Sequence, residues 1–506
     1  MNNRQKSITS NFIWRFLERI GAQGVTFIVS VVLARILDPA VYGTVAIVTV
    51  FTAIMQVFVD SGMGNALIQK KDADEVDFSS VFYFNLMMSA LLYIAMFFVA
   101  PYIALFYEMP ELTKLIRVMS LVLIIAGVKN VQQAYVSKKM LFKKFFFSTL
   151  GGTIGAAIVG IWMAWKGYGV WALVVQGLFN SLVDTIILWI TVKWRPKRLF
   201  SIQRLKNLFG FGWKLLASAL LNTGYREVRQ LIIGKIYTPD DLAFYNRGNQ
   251  FPHLIVTNIN TSMDSVLFPS MAKEQDDREL VRDMTRRAIK ISSFLMMPLM
   301  MGLAVCAEPI IRIVLTEKWL SCVFYLRIFC FTYAFFPIHT ANLNAIKAMG
   351  RSDLFLKLEI VKKLFELGLL LATMFISVEA MALSLLPATF LGQAINAWPN
   401  RKILNYGYGE QLKDLLPQMM LSCVMGGMVY GISFLHLSDW VTLLLQIPMG
   451  IAIYVSASMI FHVDSFEFLV CAAKGYFKKI DTGNARYSVD KQIMKGETDH
   501  ETTENL

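Results

Sequence analysis

Charge is thin in this chain. Only 17% of its 506 residues are Asp, Glu, Lys or Arg, against about a quarter in ordinary soluble domains, and the shortfall excludes a protein bathed in water on every side. Cysteine is scarce as well. Cys306, Cys322, Cys330, Cys423 and Cys471 are scattered, with no C-x-x-C and no paired spacing, which leaves no room for a disulfide framework or a zinc site and makes buried spectators of the five. No G-x-x-x-x-G-K-[ST], G-x-S-x-G or H-E-x-x-H occurs, so nothing points to nucleotide-driven pumping, acyl transfer or zinc hydrolysis. A cleavable leader is missing too. Arg4 and Lys6 precede an apolar stretch, but Arg15, Glu18 and Arg19 interrupt it and no small-residue cleavage site follows; the N-terminus reads as an uncleaved first helix.

What is present in excess is apolar sequence: 56% of residues are hydrophobic and the mean hydropathy is +0.51. The apolar residues come in long runs, among them 25–33, 81–107 and 154–164, and about 20 mostly apolar residues cross a bilayer as a helix. Runs between charge clusters give about fourteen spans: 11–36, 42–68, 79–106, 112–137, 145–165, 168–193, 211–236, 243–271, 288–315, 322–349, 355–377, 379–402, 413–437 and 440–462. The first, seventh, eighth and eleventh carry several charges. The fold expected is an all-α polytopic membrane protein.

A net charge of +13 would suggest nucleic acid in a soluble protein, but here the cations fall in short clusters between apolar segments. Alternate connections hold Lys70 and Lys71; Lys138, Lys139, Lys143 and Lys144; Lys193 to Lys206; Lys273 to Arg287; Arg351; and Arg401 with Lys402. The opposite connections offer little beyond Arg35, Lys114, Lys166, Lys235 and Lys318. That asymmetry places the rich side and both termini in the cytoplasm, with no nucleic-acid partner. The tail from Lys474 is polar and is expected to be mostly disordered. The stretch from Arg195 to Lys206, continuing into Leu208 and Phe209, reads either as an amphipathic surface helix joining two halves or as a plain basic loop.

Two halves are implied by an internal repeat. Ala34-Arg-Ile-Leu-Asp-Pro39-Ala-Val-Tyr-Gly43 aligns with Gly234-Lys-Ile-Tyr-Thr-Pro239-Asp-Asp-Leu-Ala243; Ala100-Pro101 parallels Glu308-Pro309, and Leu115-Ile-Arg117 parallels Tyr325-Leu-Arg327. A shared order at a slowly drifting offset indicates two copies of six spans. Parallel repeats of that kind occur in secondary transporters whose site lies between the halves. The division expected is a first lobe at 1–200, a second at 201–405, two appended helices at 406–465 and a cytoplasmic tail at 466–506.

The stretches Leu33-Ala-Arg-Ile-Leu-Asp-Pro-Ala-Val-Tyr-Gly-Thr-Val-Ala46, Asp60-Ser-Gly-Met-Gly-Asn-Ala-Leu-Ile-Gln69 and Thr238-Pro-Asp-Asp-Leu-Ala-Phe-Tyr-Asn-Arg247 resemble polysaccharide transporters, the Wzx-type flippases of the multidrug/oligosaccharidyl-lipid/polysaccharide exporter superfamily. The resemblance covers nearly the whole chain except the tail. It implies two six-helix lobes in a V, two further helices, and transfer of a polyprenyl-pyrophosphate-linked oligosaccharide across the bacterial inner membrane for lipopolysaccharide, capsule or exopolysaccharide synthesis. Membrane lipids, a glycan polymerase and assembly proteins are the partners it brings with it.

An ionisable side chain at the bilayer centre costs at least about 2.5 kcal/mol, so intramembrane charges are the informative residues. In the seventh span Asn222, Arg226, Arg229 and Gln230 share one helical face, beside Glu227. Two guanidinium groups suit a pyrophosphate; they also suit structural ties to Glu227 and neighbouring helices. In the eighth span Asn246, Gln250, His253, Thr257, Asn260 or Thr261, and Asp264 follow a 3.6-residue period, a stripe that serves sugar hydroxyls or glues helices together. Lys129 with Gln132 and Gln133, and His339 with Asn342, occupy corresponding places in the two copies. Arg15, Glu18 and Arg19 either line the path or snorkel to the interface, and Asp60, before Gly62 and Gly64, reads as a helix-end residue. No cofactor or metal is called for. Coupling to H+ or Na+ would fall to His253, Asp264, Glu359 or Glu366, although Glu359 with Lys363 and Lys362 with Glu366 stand as self-neutralising i,i+4 pairs.

The function expected is therefore flipping of a lipid-linked oligosaccharide, without catalysis. Drug or cation extrusion by a relative in the same superfamily would ask for an acidic face in place of Arg226 and Arg229. A membrane-embedded glycosyltransferase or polymerase would ask for a long loop with paired carboxylates, and no connection here exceeds about twenty residues.

Overall fold

In the computed structural model, residues 21–60, 62–70 and 72–481 are described; Arg15, Glu18 and Arg19 lie outside them. Every regular element among the described residues is helical. The first group comprises α1 (Gly21–Ile36), α2 (Pro39–Asp60), α3 (Met63–Gln69), α4 (Glu75–Tyr107), α5 (Leu112–Met119), α6 (Leu121–Lys138), α7 (Phe142–Trp165) and α8 (Val170–Thr191). After an irregular stretch at 192–201 come α9 (Ile202–Ile236), α10 (Pro239–Lys273), α11 (Arg278–Val305), α12 (Ala307–Val314), α13 (Cys322–Ala334), α14 (Phe336–Ala348), α15 (Ser352–Thr373), α16 (Val378–Leu383) and α17 (Leu385–Ile403). The chain then forms α18 (Tyr408–Gly431), α19 (Asp439–Ile460) and α20 (Asp464–Asp481).

Among the described residues, nine helical stretches are long and apolar enough to cross a membrane. The chain is a multi-pass membrane protein. The other expected spans are helical where described, but the described part of α1 is short, and α9, α10 and α15 carry several charged side chains within their length. Local chemistry sets the starts. Thr238 accepts from the Asp241 amide while the Asp241 carboxylate accepts from the Thr238 amide, both at 3.2 Å, and Pro239 follows as the first helical residue; a reciprocal cap with proline behind it is a strong helix start. Asp74 and Asp77 cap α4 in the same way.

The basic connections also do structural work. Lys138 donates to the carbonyls of Leu67 (2.9 Å) and Lys70, and Lys144 donates to the carbonyl of Thr191 at 2.6 Å. Both cations thus satisfy carbonyls left open at helix C-termini. The expected surface helix at the junction is not a separate element: the segment before Ile202 is irregular. Leu205 and Leu208, instead of lying on lipid, are buried with Phe78, Met63 and Trp194, because α9 runs unbroken for 35 residues from Ile202. The tail is helical as far as Asp481, and the rest lies outside the described residues. Of the five free cysteines, Cys306, Cys322 and Cys330 are buried, whereas Cys423 and Cys471 are exposed, on helices whose outer faces are open.

Helices α2 to α8 pack on one another, α10 to α17 do likewise, and α18 and α19 lie on α11 and α12. The first helix of each sequence repeat crosses over. Thus α9 packs on α2, α3 and α4, while α1 buries Ala34 against Ala243 and Val256 of the other group.

Candidate functional site

The two groups meet where α1 turns into α2 and α9 into α10. A Cβ placed on Gly43 would lie 1.7 Å from the carbonyl oxygen of Pro239, so the repeated turns touch backbone to backbone, and only glycine fits there. Around this contact Ile47, Val48, Tyr107, Ile233, Leu242 and Tyr325 form one apolar core drawn from both groups. Cross-braces follow the repeat. Trp319 donates through Nε1 to Ala34 O at 2.8 Å, and Tyr107 donates to Leu231 O at 3.3 Å. Arg35 donates to the carbonyls of Val314 (2.9 Å) and Ile313, and Lys235 pairs with Glu108 at 2.9 Å. Arg117 and Arg327 each donate through Nε to a carbonyl of an earlier helix, Phe97 O of α4 at 3.1 Å and Ala304 O of α11 at 3.2 Å.

One cation of this seam was not singled out by sequence. Arg247 is 6% exposed and lies between the rings of Tyr42 and Trp319, 4.5 and 4.8 Å from their centroids. It donates to Ser30 at 2.7 Å and Gln250 at 2.6 Å. A buried charge needs compensation; here two aromatic faces and two neutral acceptors supply it. The sequence signal was an arginine one turn from Gln250 inside an expected membrane span.

Away from the seam the polar face of α9 comes into view. Arg226 is 70% exposed along its side chain and pairs at 2.8 Å with Glu227, itself 7% exposed. Glu227 also accepts from Gln230, which in turn accepts from Asn246 at 2.8 Å, so the seventh and eighth expected spans share one chain of hydrogen bonds. Arg229 takes a different role from its neighbour: it donates to the Met381 carbonyl and lies 3.5 Å from the Ser384 hydroxyl, tying α9 to α16. The i,i+4 pairs expected within α15 do not form. Lys363 donates to Asn222, Glu366 accepts from Tyr225, and Lys362, 5% exposed, pairs with Glu359 with His339 at 3.4 Å. Lys363 and Glu366 are long enough to reach α9, while Lys362 takes the carboxylate one turn before it on its own helix.

On α10 Gln250 belongs to the Arg247 cage, while His253 is exposed and close enough to Arg226 to interact with it electrostatically. The stripe continues through exposed Asn258, Thr261 and Ser262 to Asp264, which accepts from Asn344 at 2.6 Å. Asn260 is buried. In the first group opposite charges meet between α6 and α8. Lys129 pairs with Asp184 at 3.3 Å, and Asp60, at the end of α2, accepts from Gln56 at 3.1 Å and Asn130 at 2.6 Å. Gln132 turns away to the Trp194 carbonyl at 3.1 Å, and Asn342 joins Gln411 and Asn400 in a buried amide network. Asp184 was passed over in sequence although it is the one acid of its span. Among the described residues no group of three or more His, Cys, Asp or Glu side chains is arranged to hold a metal.

Comparison with known proteins places this arrangement. Residues 32–324 match the family described as "Polysaccharide biosynthesis protein". The chain is 26% identical over 416 residues to the teichuronic acid biosynthesis protein TuaB of Bacillus subtilis, covering 80% of this chain and 84% of that one. It is 23% identical over 370 residues to the lipopolysaccharide biosynthesis protein WzxC of Escherichia coli, covering 72% and 74%. Among solved structures, a lipid II flippase MurJ in an inward closed conformation superposes with a TM-score of 0.73 at 17% identity, over 90% of this chain and 99% of that one. An inward-facing multidrug resistance transporter of the MATE family gives 0.59 at 12% identity, over 75% and 94%. The chain belongs to the polysaccharide biosynthesis protein family, with relatives named for teichuronic acid and lipopolysaccharide biosynthesis.

Proposed function

We propose that the protein moves a polyprenyl-pyrophosphate-linked oligosaccharide across the bacterial inner membrane by alternating access. In this reading the chain crosses fourteen times with both termini in the cytoplasm, lobes 1–200 and 201–405 rock about the seam, and 406–465 are appended. The observation that carries it is a bundle sealed backbone to backbone at one end, Gly43 on Pro239, with an exposed guanidinium, Arg226, on the polar face beyond the seal. A pyrophosphate arriving there exchanges one carboxylate partner for two phosphate groups, a favourable trade for a fork of donors. Arg229, held by backbone, positions α9; the hydroxyls and amides of α10 face the glycan. Extrusion of a cationic drug is the poorer fit, since the exposed charge of this face is positive. H+ or Na+ coupling through His253 or Asp264 belongs to the same reading.

The test is translocation of a fluorescently labelled lipid-linked oligosaccharide in proteoliposomes. Arg226→Gln is expected to lower the rate at least ten-fold with insertion and thermal stability unchanged. Transport at the unaltered rate would sink the assignment.

A further inference from the structure

Any groove on the lipid-facing side of a membrane protein fills with lipid, so a groove is a site only where it selects a headgroup. One groove, of about 480 Å3, lies between α11, α18 and the turn from α19 into α20, and its two ends are unlike. Lys290 and Lys413 stand at one end; Leu416, Met420, Val424 and Phe461 line the rest. On α18, Lys413, Leu416, Met420 and Val424 follow one another at intervals of three and four, a single helical face. All four apolar side chains are 47–70% exposed.

We propose that this groove binds an anionic phospholipid of one leaflet, its phosphate on Lys413 and Lys290 and an acyl chain along Leu416, Met420 and Val424. Length argues for a phospholipid. From Lys413 to Val424 the helix rises about 16 Å, close to half of a hydrocarbon core about 30 Å thick, so the stripe matches an ordinary acyl chain and is too short for a polyprenyl tail. Charge argues for an anionic one. The Asp414 carboxylate is already taken by two bonds of 2.7 Å from Arg286 and one of 2.7 Å from Tyr406. Lys290 reaches Asp464 at 3.1 Å and Asp414 at 3.8 Å, and Lys413 has no ion pair among the described residues. The groove is lined by two cations and two carboxylates, but Arg286 from outside it occupies Asp414, which leaves Lys413 as the cation open to a headgroup of net negative charge. The charged end is closed by α20, whose Phe466 and Leu469 pack on the core around Phe294 and Tyr454.

Native mass spectrometry of the delipidated full-length protein tests this, with phosphatidylglycerol and phosphatidylethanolamine offered at equal concentration. One phosphatidylglycerol is expected to be retained in preference. Lys413→Glu is expected to lower its occupancy about five-fold, towards the phosphatidylethanolamine level, and Met420→Trp, which fills the groove, to lower retention of both. Equal retention of the two lipids, unchanged phosphatidylglycerol binding in Lys413→Glu, or one-for-one displacement by undecaprenyl phosphate would overturn the site. Should a variant unfold, the headgroup preference of the unaltered protein decides alone, and it is read without any transport assay.

Discussion

The turn from α1 into α2 and the turn from α9 into α10 share a proline at the same offset and a basic residue four positions earlier, yet they are anchored by different chemistry. Arg35 binds carbonyls of α12, and Trp319 donates to the backbone beside it. Lys235 instead meets a carboxylate, Glu108, that is 81% exposed. A second contrast lies deeper in, between places that the repeat does not equate: Lys129 on α6 is neutralised by Asp184, both side chains largely buried, whereas Arg226 on α9 is 70% exposed. Lys129 is thus locked by a buried partner, and Arg226, though paired with Glu227, keeps its guanidinium accessible.

The strongest way to break the comparison is at the glycines. A Cβ on Gly43 meets the Pro239 backbone at 1.7 Å, whereas one on Gly234 meets the Ile47 side chain, Cγ1 at 2.9 Å and Cδ1 at 3.1 Å, and a side chain yields where backbone does not. Gly43→Ala should force the seam apart, at a cost on the order of 3 kcal/mol or more; Gly234→Ala should be accommodated for about 1 kcal/mol. Spin labels at exposed Glu111 and Glu317 would report a lengthened distance in the first variant only. Equal responses would mean the two turns are interchangeable.

Next come the ion pairs. With side chains 20% and 14% exposed, Lys129 and Asp184 form a pair whose rupture by Lys129→Gln leaves a poorly solvated carboxylate, about 3 kcal/mol. Arg226→Gln breaks a pair whose cation is exposed and whose carboxylate keeps its bond from Gln230, and should cost under about 1 kcal/mol. Thermal unfolding should therefore rank the variants in the order opposite to transport. A smaller contrast separates the repeated arginines: Arg117 lies 4.0 Å from the Phe97 ring centroid as well as on its carbonyl. Arg117→Lys should thus cost about 1 kcal/mol more than Arg327→Lys, measurable in the same scans.

The sequence carried the turns, the repeated arginines and the helical segments because each is written in local pattern: a proline at a helix start, an arginine at a constant offset, an apolar run. It did not carry partner choice. Lys363 looks paired with Glu359, and Glu366 with Lys362, when α15 is drawn alone, but packing brings Asn222 and Tyr225 within reach, and helical spacing says nothing about the facing helix. Arg226 and Arg229 are equivalent on a helical wheel, and only the position of α16 separates an accessible guanidinium from one bound to Met381. Arg247 escaped for a related reason. Its compensation comes from Tyr42 and Trp319, some 200 and 70 residues away in the chain, and no local pattern announces a cage built from three segments.

Acid should separate the two turns most gently. The hydrogen bond from Lys235, and its charge, hold the Glu108 carboxyl below the usual carboxylate range. A folded-state value that is depressed means the brace is complete above the ordinary carboxylate value and is lost as pH falls through the lowered one. Arg35 is bonded to carbonyls, and although Asp38 in the same turn meets Lys318 at 3.5 Å, Lys318 also donates to the Leu37 carbonyl at 2.7 Å, a bond that acid does not remove. Hydrogen exchange of the amides at 233–237 should therefore quicken on acidification towards pH 3, after correction for the intrinsic rate, while that at 33–37 does not, and Glu108→Gln should remove the difference between the two segments. The shift should be modest, since the carboxylate is exposed and its attraction is screened by salt. If both segments quicken together, the weakness lies in the shared seam and not in the chemistry that distinguishes one turn from the other.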